Sequence, residues 1–255
     1  MPDEESINLF DSPAKEPPMI RLDKFLADAG VGTRSEVKQL IRKKQITVNG
    51  VPAAKPEMKV DETADTIAVN GKPVLTRGLV YYLLHKPAGY VSAVKDNLFP
   101  TVMELVPPGD DLFPVGRLDK DTEGLLLITN DGDLAHRLLS PRRHVDKTYL
   151  ARLDKPAEEE DISRFKEGVD IGDEDITLPA SLVLLPENEA LLTIHEGRFH
   201  QVKRMFHSVG KEVVYLKRLS MGPLELPDDL KKGNCRELFP EELRALYLAA
   251  GLTVE

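Results

Sequence analysis

The apolar residues between positions 20 and 30 repeat every three or four positions, which predicts an amphipathic helix that ends at Gly30. Thr33 and Glu36 then have the spacing of a capping box and begin a second predicted helix. On that helix basic residues recur at every fourth position and form one stripe: Arg34, Lys38 and Arg42. Two short strands follow, joined by an Asn-Gly turn at 49–50, because Asn-Gly readily adopts the positive φ angles of a hairpin. The pattern therefore predicts a compact helix-helix-hairpin module.

The rest of the chain alternates short apolar runs with helical periodicity. The runs that predict strands are 80–84, 125–129, 149–153, 180–185, 191–194 and 213–216. The segments that predict helices are 131–139, 158–167, 201–209 and 241–250. This mixture predicts an α+β domain with a sheet at its centre.

The chain has 255 residues, a length that suits two domains. Residues 1–18 contain four prolines and no apolar period, so we expect a disordered acidic tail. The helix-helix-hairpin module is expected over 19–62 and a linker over 63–77, within which a second Asn-Gly turn is expected at 70–71. The larger domain is expected over 78–255.

The distribution of charge changes the meaning of the net charge of −9. An acidic protein is a poor general partner for nucleic acid, because phosphate binding needs concentrated positive charge. Here residues 1–18 carry a net charge of −4 and residues 154–190 carry −9, so these two segments together hold more negative charge than the net charge of the whole chain. Residues 19–60 and 198–218 each carry +5. Two basic islands in an acidic chain are compatible with an RNA-facing side and a solvated back.

The composition also limits the compartment. No apolar run approaches the length that spans a bilayer, and the acidic N-terminus is the opposite of a secretory signal. Cys235 is the single cysteine, so it has no internal disulfide partner. We expect a cytoplasmic protein without a membrane segment or thiol chemistry.

The loop GRLDKDTEG, which leads directly into the apolar run at 125–129, has the highest density of chemically active side chains. Loops at the end of a rigid strand commonly present reactive groups. Asp119 and Asp121 lie two positions apart, so in extended backbone they would share one side, as the paired carboxylates of a hydrolase or a metal site do. Alternatively, both acids cap the turn through hydrogen bonds to its backbone. Their spacing leaves both interpretations open.

Two further segments carry candidate residues. In EGRFHQVKRMFHSVG a turn feeds a helix whose start is typical of a phosphate-facing site, with these polar side chains: Arg198, His200, Lys203 and Arg204. His200 and His207 lack the neighbouring acids or cysteines of a metal site, so we predict none. In RRHVDKTYL a basic turn enters a strand that carries Tyr149, whose ordinary role would be that of a half-buried tyrosine with a wet hydroxyl.

Together these segments resemble the pseudouridine synthases of the ribosomal small-subunit type, whose central signature matches GRLDKDTEGLLLITNDG. The opening RLDKFLADAGVGTRSEVKQLIRKKQITVNG resembles the RNA-binding domain first described in ribosomal protein S-four. The resemblance covers residues 20–239. It implies an S-four-type domain followed by a catalytic domain with a central, mainly antiparallel sheet.

The resemblance also implies roles for four side chains. Asp119 corresponds to the essential aspartate, and whether it attacks C1′ or removes a ribose proton stays open. Lys203 corresponds to the basic residue that pairs with it, and Arg117 would occupy the base stack vacated by a flipped uridine. Tyr149 would lie against the uracil and is the candidate for handling the C5 proton. Uridine isomerisation consumes no external cofactor, and Asp121 is expected only to stabilise the loop.

The runs GRFHQVKRMF and HVDKTYL look like those of enzymes that act on 16S rather than 23S ribosomal RNA. We therefore expect a monomeric enzyme that modifies one uridine of 16S RNA in a partly assembled particle, binding RNA through Arg34, Lys38, Arg42, Arg198, His200 and Arg204. Three alternatives stay open. They are the same reaction on 23S RNA, a catalytically silent RNA-binding assembly factor, and a glycosidic hydrolase that uses Asp119 and Asp121.

Overall fold

The computed structural model describes residues 19–62, 64–74, 78–109, 111–140, 143 and 145–252. The predicted disordered tail over 1–18 lies outside the described residues. The chain divides into two compact units, Met1–Gly78 and Leu79–Glu255. Within the described ranges, no helix has the length and apolar character needed to cross a membrane.

Both predicted helices of the N-terminal unit are confirmed. Its elements are β1 (Met19–Arg21), α1 (Leu22–Asp28), α2 (Arg34–Arg42), β2 (Ile46–Val48), β3 (Val51–Pro52), β4 (Lys59–Asp61), β5 (Ile67–Val69) and β6 (Lys72–Pro73). The Thr33 hydroxyl accepts from the Glu36 backbone N–H, and the Glu36 carboxylate accepts from the Thr33 N–H, so the capping box begins α2. The apolar faces of α1 and α2 meet in one core that includes Leu22, Leu26 and Val37.

The predicted linker over 63–77 is wrong where it covers β5 and β6. These strands extend the hairpin into a four-stranded sheet of order β3-β2-β5-β6. Ile67 is buried in the core of this unit, which gives β5 a reason to pair. Asn49, at the first hairpin turn, fixes the register because its backbone N–H donates to Thr66 O and its side-chain oxygen accepts from the Thr66 N–H, both at 2.8 Å.

Every predicted strand and helix of the larger domain has a counterpart in the C-terminal unit. Its elements are β7 (Tyr81–Lys86), β8 (Phe113–Pro114), β9 (Glu123–Thr129), α3 (Gly132–Leu139), β10 (Lys147–Leu153), α4 (Glu159–Glu167), β11 (Ser181–Leu184), β12 (Glu189–Ile194), α5 (Gln201–Ser208), β13 (Val213–Met221), β14 (Leu224–Glu225), β15 (Cys235–Glu237) and α6 (Pro240–Ala249). The expected α+β fold is confirmed.

The central sheet has the order β11-β12-β10-β13-β9-β7-β15. Neighbouring strands on this path are antiparallel except β9 and β13, which are parallel, so the mainly antiparallel sheet is confirmed. All seven residues of β9 are buried. Leu126 and Ile128 belong to one apolar core, whereas Leu125 and Leu127 belong to another. Since successive strand residues face opposite sides, the sheet is covered on both faces at β9.

Candidate active site

A cavity of about 900 Å³ lies where the loop before β9 meets β10, β13 and the start of α5. The four side chains that the resemblance singled out all line it: Arg117, Asp119, Tyr149 and Lys203. Arg198 and His200 line the same cavity. Residues from positions 117 to 203 therefore meet at one place, and the volume is in the range of small-ligand sites.

The backbone of the loop that carries Asp119 is held by Lys86 at the end of β7. The Lys86 ammonium is fully buried and donates to Thr122 O at 2.7 Å and to Asp119 O at 3.0 Å. It also lies within hydrogen-bond distance of Pro87 O and Lys120 O. Burial lowers the pKa of Lys86 to about 8, although the negative charges of the nearby aspartates oppose the shift. Sequence reasoning missed this lysine.

Two further contacts fix the same loop. The Ser92 hydroxyl donates to Leu118 O at 2.9 Å and accepts from the Leu118 N–H at 3.0 Å. Gly124 follows the loop with φ +110°, and a Cβ at this position would overlap the Arg218 carbonyl of the neighbouring strand. Glycine is therefore required for β9 and β13 to approach each other here. The carboxylate of Asp119 is thus presented from a rigid backbone.

Lys203 lies between two carboxylates. Its ammonium is 3.3 Å from Asp119 Oδ2 and 2.6 Å from Asp121 Oδ1. The Asp119 side chain is 24% exposed, whereas that of Asp121 is 75% exposed. Partial burial raises the pKa of the Asp121 carboxyl, but the hydrogen bond and charge of Lys203 outweigh it, so that this pKa lies below its ordinary value. Lys203 on α5 contacts the more enclosed carboxylate and the more exposed one together.

The contacts of the Asp119 carboxylate do not support a turn-capping role. Among the described residues its partners are Lys203 and His200, whose Nε2 lies 3.5 Å from Asp119 Oδ1. His200 itself adopts a left-handed backbone with φ +50° just before α5, and its ring stacks on Phe199 with centroids 3.8 Å apart. Asp119 is therefore a carboxylate beside cation-forming side chains, and not a cap for its own turn.

The expected phosphate contacts of Arg198 and Arg204 are not supported by the geometry. The Arg198 guanidinium donates to Asp175 O, Ile176 O and the Glu196 carboxylate. The Arg204 guanidinium donates to Ile171 O, Phe199 O and the Asp173 carboxylate. Because protein acceptors already occupy both guanidinium groups, these side chains fix the loop over 171–176 against the start of α5. Their charge was visible in the sequence, but these tertiary partners were not.

The other predicted contacts differ in exposure. Arg117 is exposed at the edge of the cavity, whereas Tyr149 is buried on β10. In the N-terminal unit Arg34, Lys38 and Arg42 are all exposed on α2. Over the described part of the chain, no group of three or more His, Cys, Asp or Glu side chains is arranged to hold a metal ion.

The fold and the site define a protein with a cavity that holds one carboxylate beside a lysine, joined in one chain to a separate basic module. Residues 80–208 match the RNA pseudouridylate synthase family, and residues 20–67 match the S4 domain. The chain belongs to the RNA pseudouridylate synthase family, and it is an isomerase. The expected family and the two modules are confirmed.

Individual proteins agree with this assignment. The "uncharacterized RNA pseudouridine synthase YtzG" of Bacillus subtilis (strain 168) is 46% identical over 234 residues, which cover 89% of this chain and 98% of the relative. "Ribosomal small subunit pseudouridine synthase A" of Escherichia coli (strain K12) is 40% identical over 231 residues, covering 89% and 100%. A crystal structure of a pseudouridylate synthase superimposes with a TM-score of 0.65 at 36% identity, covering 89% and 99%.

Proposed function

We propose that this chain converts one uridine of 16S ribosomal RNA to pseudouridine, with Asp119 as the essential carboxylate. The observation that carries this proposal is the position of Asp119, which lies in the cavity between Lys203 and His200 on a backbone held by Lys86. Similarity to relatives named for the small ribosomal subunit supports the choice of 16S RNA.

The proposed reaction needs few groups. The C1′–N1 bond breaks, the uracil rotates, C5 bonds to C1′, the C5 proton leaves and N1 gains a proton. The starting and final nucleosides have the same composition, so neither an oxidant nor a cofactor is consumed. Asp119 acts at the ribose, and the Lys203 ammonium lies 3.3 Å from its carboxylate and holds it in position. Tyr149 lies in the same cavity, where its ring stacks on the base and its hydroxyl handles the C5 proton.

The target base must leave the RNA stack to reach this cavity, because a stacked base hides its glycosidic bond. Arg117 is exposed at the edge of the cavity and makes no ion pair with the described residues. Its guanidinium plane suits the space that a flipped base vacates, since guanidinium groups stack on bases. The cations of α2 contribute phosphate contacts, so the N-terminal unit serves as the RNA-docking module. We propose that the enzyme acts as a cytoplasmic monomer on a partly assembled particle.

The hydrolase alternative fits the site less well. An acid/base pair needs one carboxyl that carries a proton near neutral pH. The pKa of Asp121 lies below its ordinary value because Lys203 contacts it at 2.6 Å, so this carboxyl is ionised. A silent RNA-binding factor would leave the cavity and its four convergent side chains without a use.

The direct test is Asp119→Asn, which removes the charge and preserves the volume. Ribosomal RNA from cells that lack this protein is incubated with the purified variant, and pseudouridine and free uracil are both measured. We expect no pseudouridine, wild-type RNA affinity and an unchanged unfolding transition. Asp121→Asn is the matched control and retains activity. Pseudouridine formation by a well-folded Asp119→Asn enzyme would reject the assignment, and release of uracil by the wild type would favour the hydrolase.

A further inference from the structure

Two buried cations line the same cavity without a carboxylate partner. Lys147 on β10 is 7% exposed and Arg218 on β13 is 2% exposed, and both line the cavity that contains Asp119. Among the described residues neither forms an ion pair. Buried charges in proteins are ordinarily paired or fully hydrogen-bonded. The described part of the fold supplies no such partner for either side chain.

The hydrogen bonds of these side chains are incomplete. Arg218 Nε donates to Leu125 O at 2.8 Å, but its buried Nη2 has no acceptor in the described part of the chain. Lys147 Nζ donates to Val145 O at 2.8 Å, its one acceptor there, although an ammonium has three N–H groups. By contrast, the equally buried Lys211 forms an ion pair with Asp161 at 2.8 Å. Both cations with incomplete hydrogen bonding therefore line the cavity, whereas Lys211 does not.

The electrostatics of the pair favour an electron-rich ligand. Burial and, to a smaller extent, the positive charge of Arg218 together lower the pKa of Lys147 to about 8, against the opposing effect of Asp146. A ligand that accepts hydrogen bonds and carries negative charge would stabilise both cations. The strand register places both cations next to Tyr149, the residue proposed to stack on the uracil. Arg218 pairs with Tyr149 across β10 and β13, and Lys147 precedes Tyr149 by two residues.

We propose that Lys147 and Arg218 form a subsite that binds the carbonyl oxygens of the flipped uracil and stabilises the charge the base gains when its glycosidic bond breaks. This inference rests on the proposed function, since it assumes that a uridine enters the cavity. As C1′–N1 breaks, the bonding pair stays on N1 and spreads to O2 and O4, while C1′ is left to the chemistry of Asp119. The electron pair at C5 then forms the new bond to C1′, C5 loses its proton and N1 gains one. Fixed donors in a site that excludes water are effective at such a step.

The subsite also accounts for choice of base. Lysine and arginine side chains only donate hydrogen bonds, and O2 and O4 of uracil only accept them. Cytosine carries an amino group at C4, which would place a donor against a donor. A buried donor left unpaired strongly disfavours such an analogue.

The test pairs side-chain changes with single-atom changes in the substrate. An RNA oligonucleotide containing the uridine that the wild-type enzyme converts is made with uridine, 2-thiouridine or 4-thiouridine at that position, because sulfur is a weaker acceptor than oxygen. Single-turnover rates and RNA affinity are measured for wild type, for Lys147→Met and for Arg218→Lys. The last variant retains a positive charge but loses the planar guanidinium group. Lys211→Met is the matched control, since it also removes a buried ammonium.

We expect Lys147→Met to slow isomerisation about 100-fold while RNA affinity stays within about twofold. For each protein the rate with uridine is divided by the rate with each thio analogue. For at least one analogue this ratio should be at least about fivefold larger in wild type than in Lys147→Met or Arg218→Lys, and a merely structural defect would not produce that difference. Lys211→Met should leave the ratio unchanged. Equal ratios in wild type and both cavity variants would overturn the subsite. If the converted uridine lies in 23S RNA, the substrate proposal fails while the same experiment on that oligonucleotide still decides the subsite.

Discussion

In the N-terminal unit α2 presents Arg34, Lys38 and Arg42 to solvent, whereas in the C-terminal unit Lys86, Lys147 and Arg218 are buried. Exposed cations act on phosphates over a distance set by salt, and their geometry is not fixed. Buried cations act through individual hydrogen bonds in fixed directions. The exposed group therefore suits attachment to RNA of any sequence, and the buried group suits the positioning of one loop and one base.

The two groups also affect stability differently. Lys86 has carbonyl acceptors from four residues, so it links the end of β7 to the loop of Asp119. Loss of such a buried donor leaves several acceptors unsatisfied. Loss of an exposed cation leaves water in its place. Substitutions that remove one positive charge should consequently have unequal effects, which can be ranked.

The largest effect is expected for Lys203→Met. The Lys203 side chain is partly exposed, less than the cations of α2 and more than the buried ones. Without its ammonium the Asp119 carboxylate loses the contact at 3.3 Å that helps to fix its position in the cavity. We expect single-turnover isomerisation to fall at least about 100-fold with RNA affinity nearly unchanged. Asp121→Asn, which removes only the more exposed partner, should change the rate less than about threefold. Wild-type rates in Lys203→Met would remove Lys203 from the site.

A smaller effect, chiefly on stability, is expected for Lys86→Met. The variant leaves carbonyls of the Asp119 loop without their donor, so its free energy of unfolding should fall by about 2–4 kcal/mol, measured by urea denaturation. The pH dependence has a definite sign. The pKa of Lys86 is about 8 in the folded chain and about 10.4 when unfolded, so the unfolded state binds more protons between these values and stability rises with pH.

The difference in unfolding free energy between wild type and Lys86→Met should therefore grow from pH 8 to pH 10. Its slope should approach about 1 kcal/mol per pH unit. Taking the difference removes the contribution of Lys147, whose pKa is also lowered to about 8, since both proteins retain it. A difference that is constant over this range would show that Lys86 is not a buried cation.

The smallest effect is expected when Arg34, Lys38 and Arg42 are all replaced by Gln. Loss of three phosphate contacts should lower RNA affinity about tenfold at moderate salt and reduce the slope of log affinity against log salt by about 2. Stability should change by less than about 0.5 kcal/mol. Replacing Arg164 and Lys166 on the acidic α4 by Gln is the control for removal of exposed charge elsewhere. An unchanged slope in the triple variant would exclude α2 as a docking element.

Helices and longer strands of this fold were predictable because their apolar positions repeat over several turns or pleats. The pairing of β1 with β4 was not, since each strand has three residues and the partners are far apart in the chain. The linker error has the same origin. A short strand such as β5 carries no period of its own, and its place in a sheet depends on burial of Ile67 and on the hydrogen bonds of Asn49.

Part of the candidate site was predictable because chemistry is concentrated in one motif. Asp119 was visible in the GRLD loop, and Tyr149 and Lys203 followed from resemblance and line the same cavity. Lys86, Lys147 and Arg218 were missed because a charged residue in a strand ordinarily predicts a solvated face. Their burial depends on apolar cores that cover the sheet on both faces, which is a tertiary property.

The most direct test of the proposed function is a map of pseudouridine in 16S and 23S ribosomal RNA from cells that lack this protein. Complementation with wild type and with Asp119→Asn shows whether a lost modification depends on the carboxylate. We expect the loss of one pseudouridine, confined to 16S RNA, which returns with wild type and not with Asp119→Asn. Loss confined to 23S RNA, or restoration by Asp119→Asn, would contradict it.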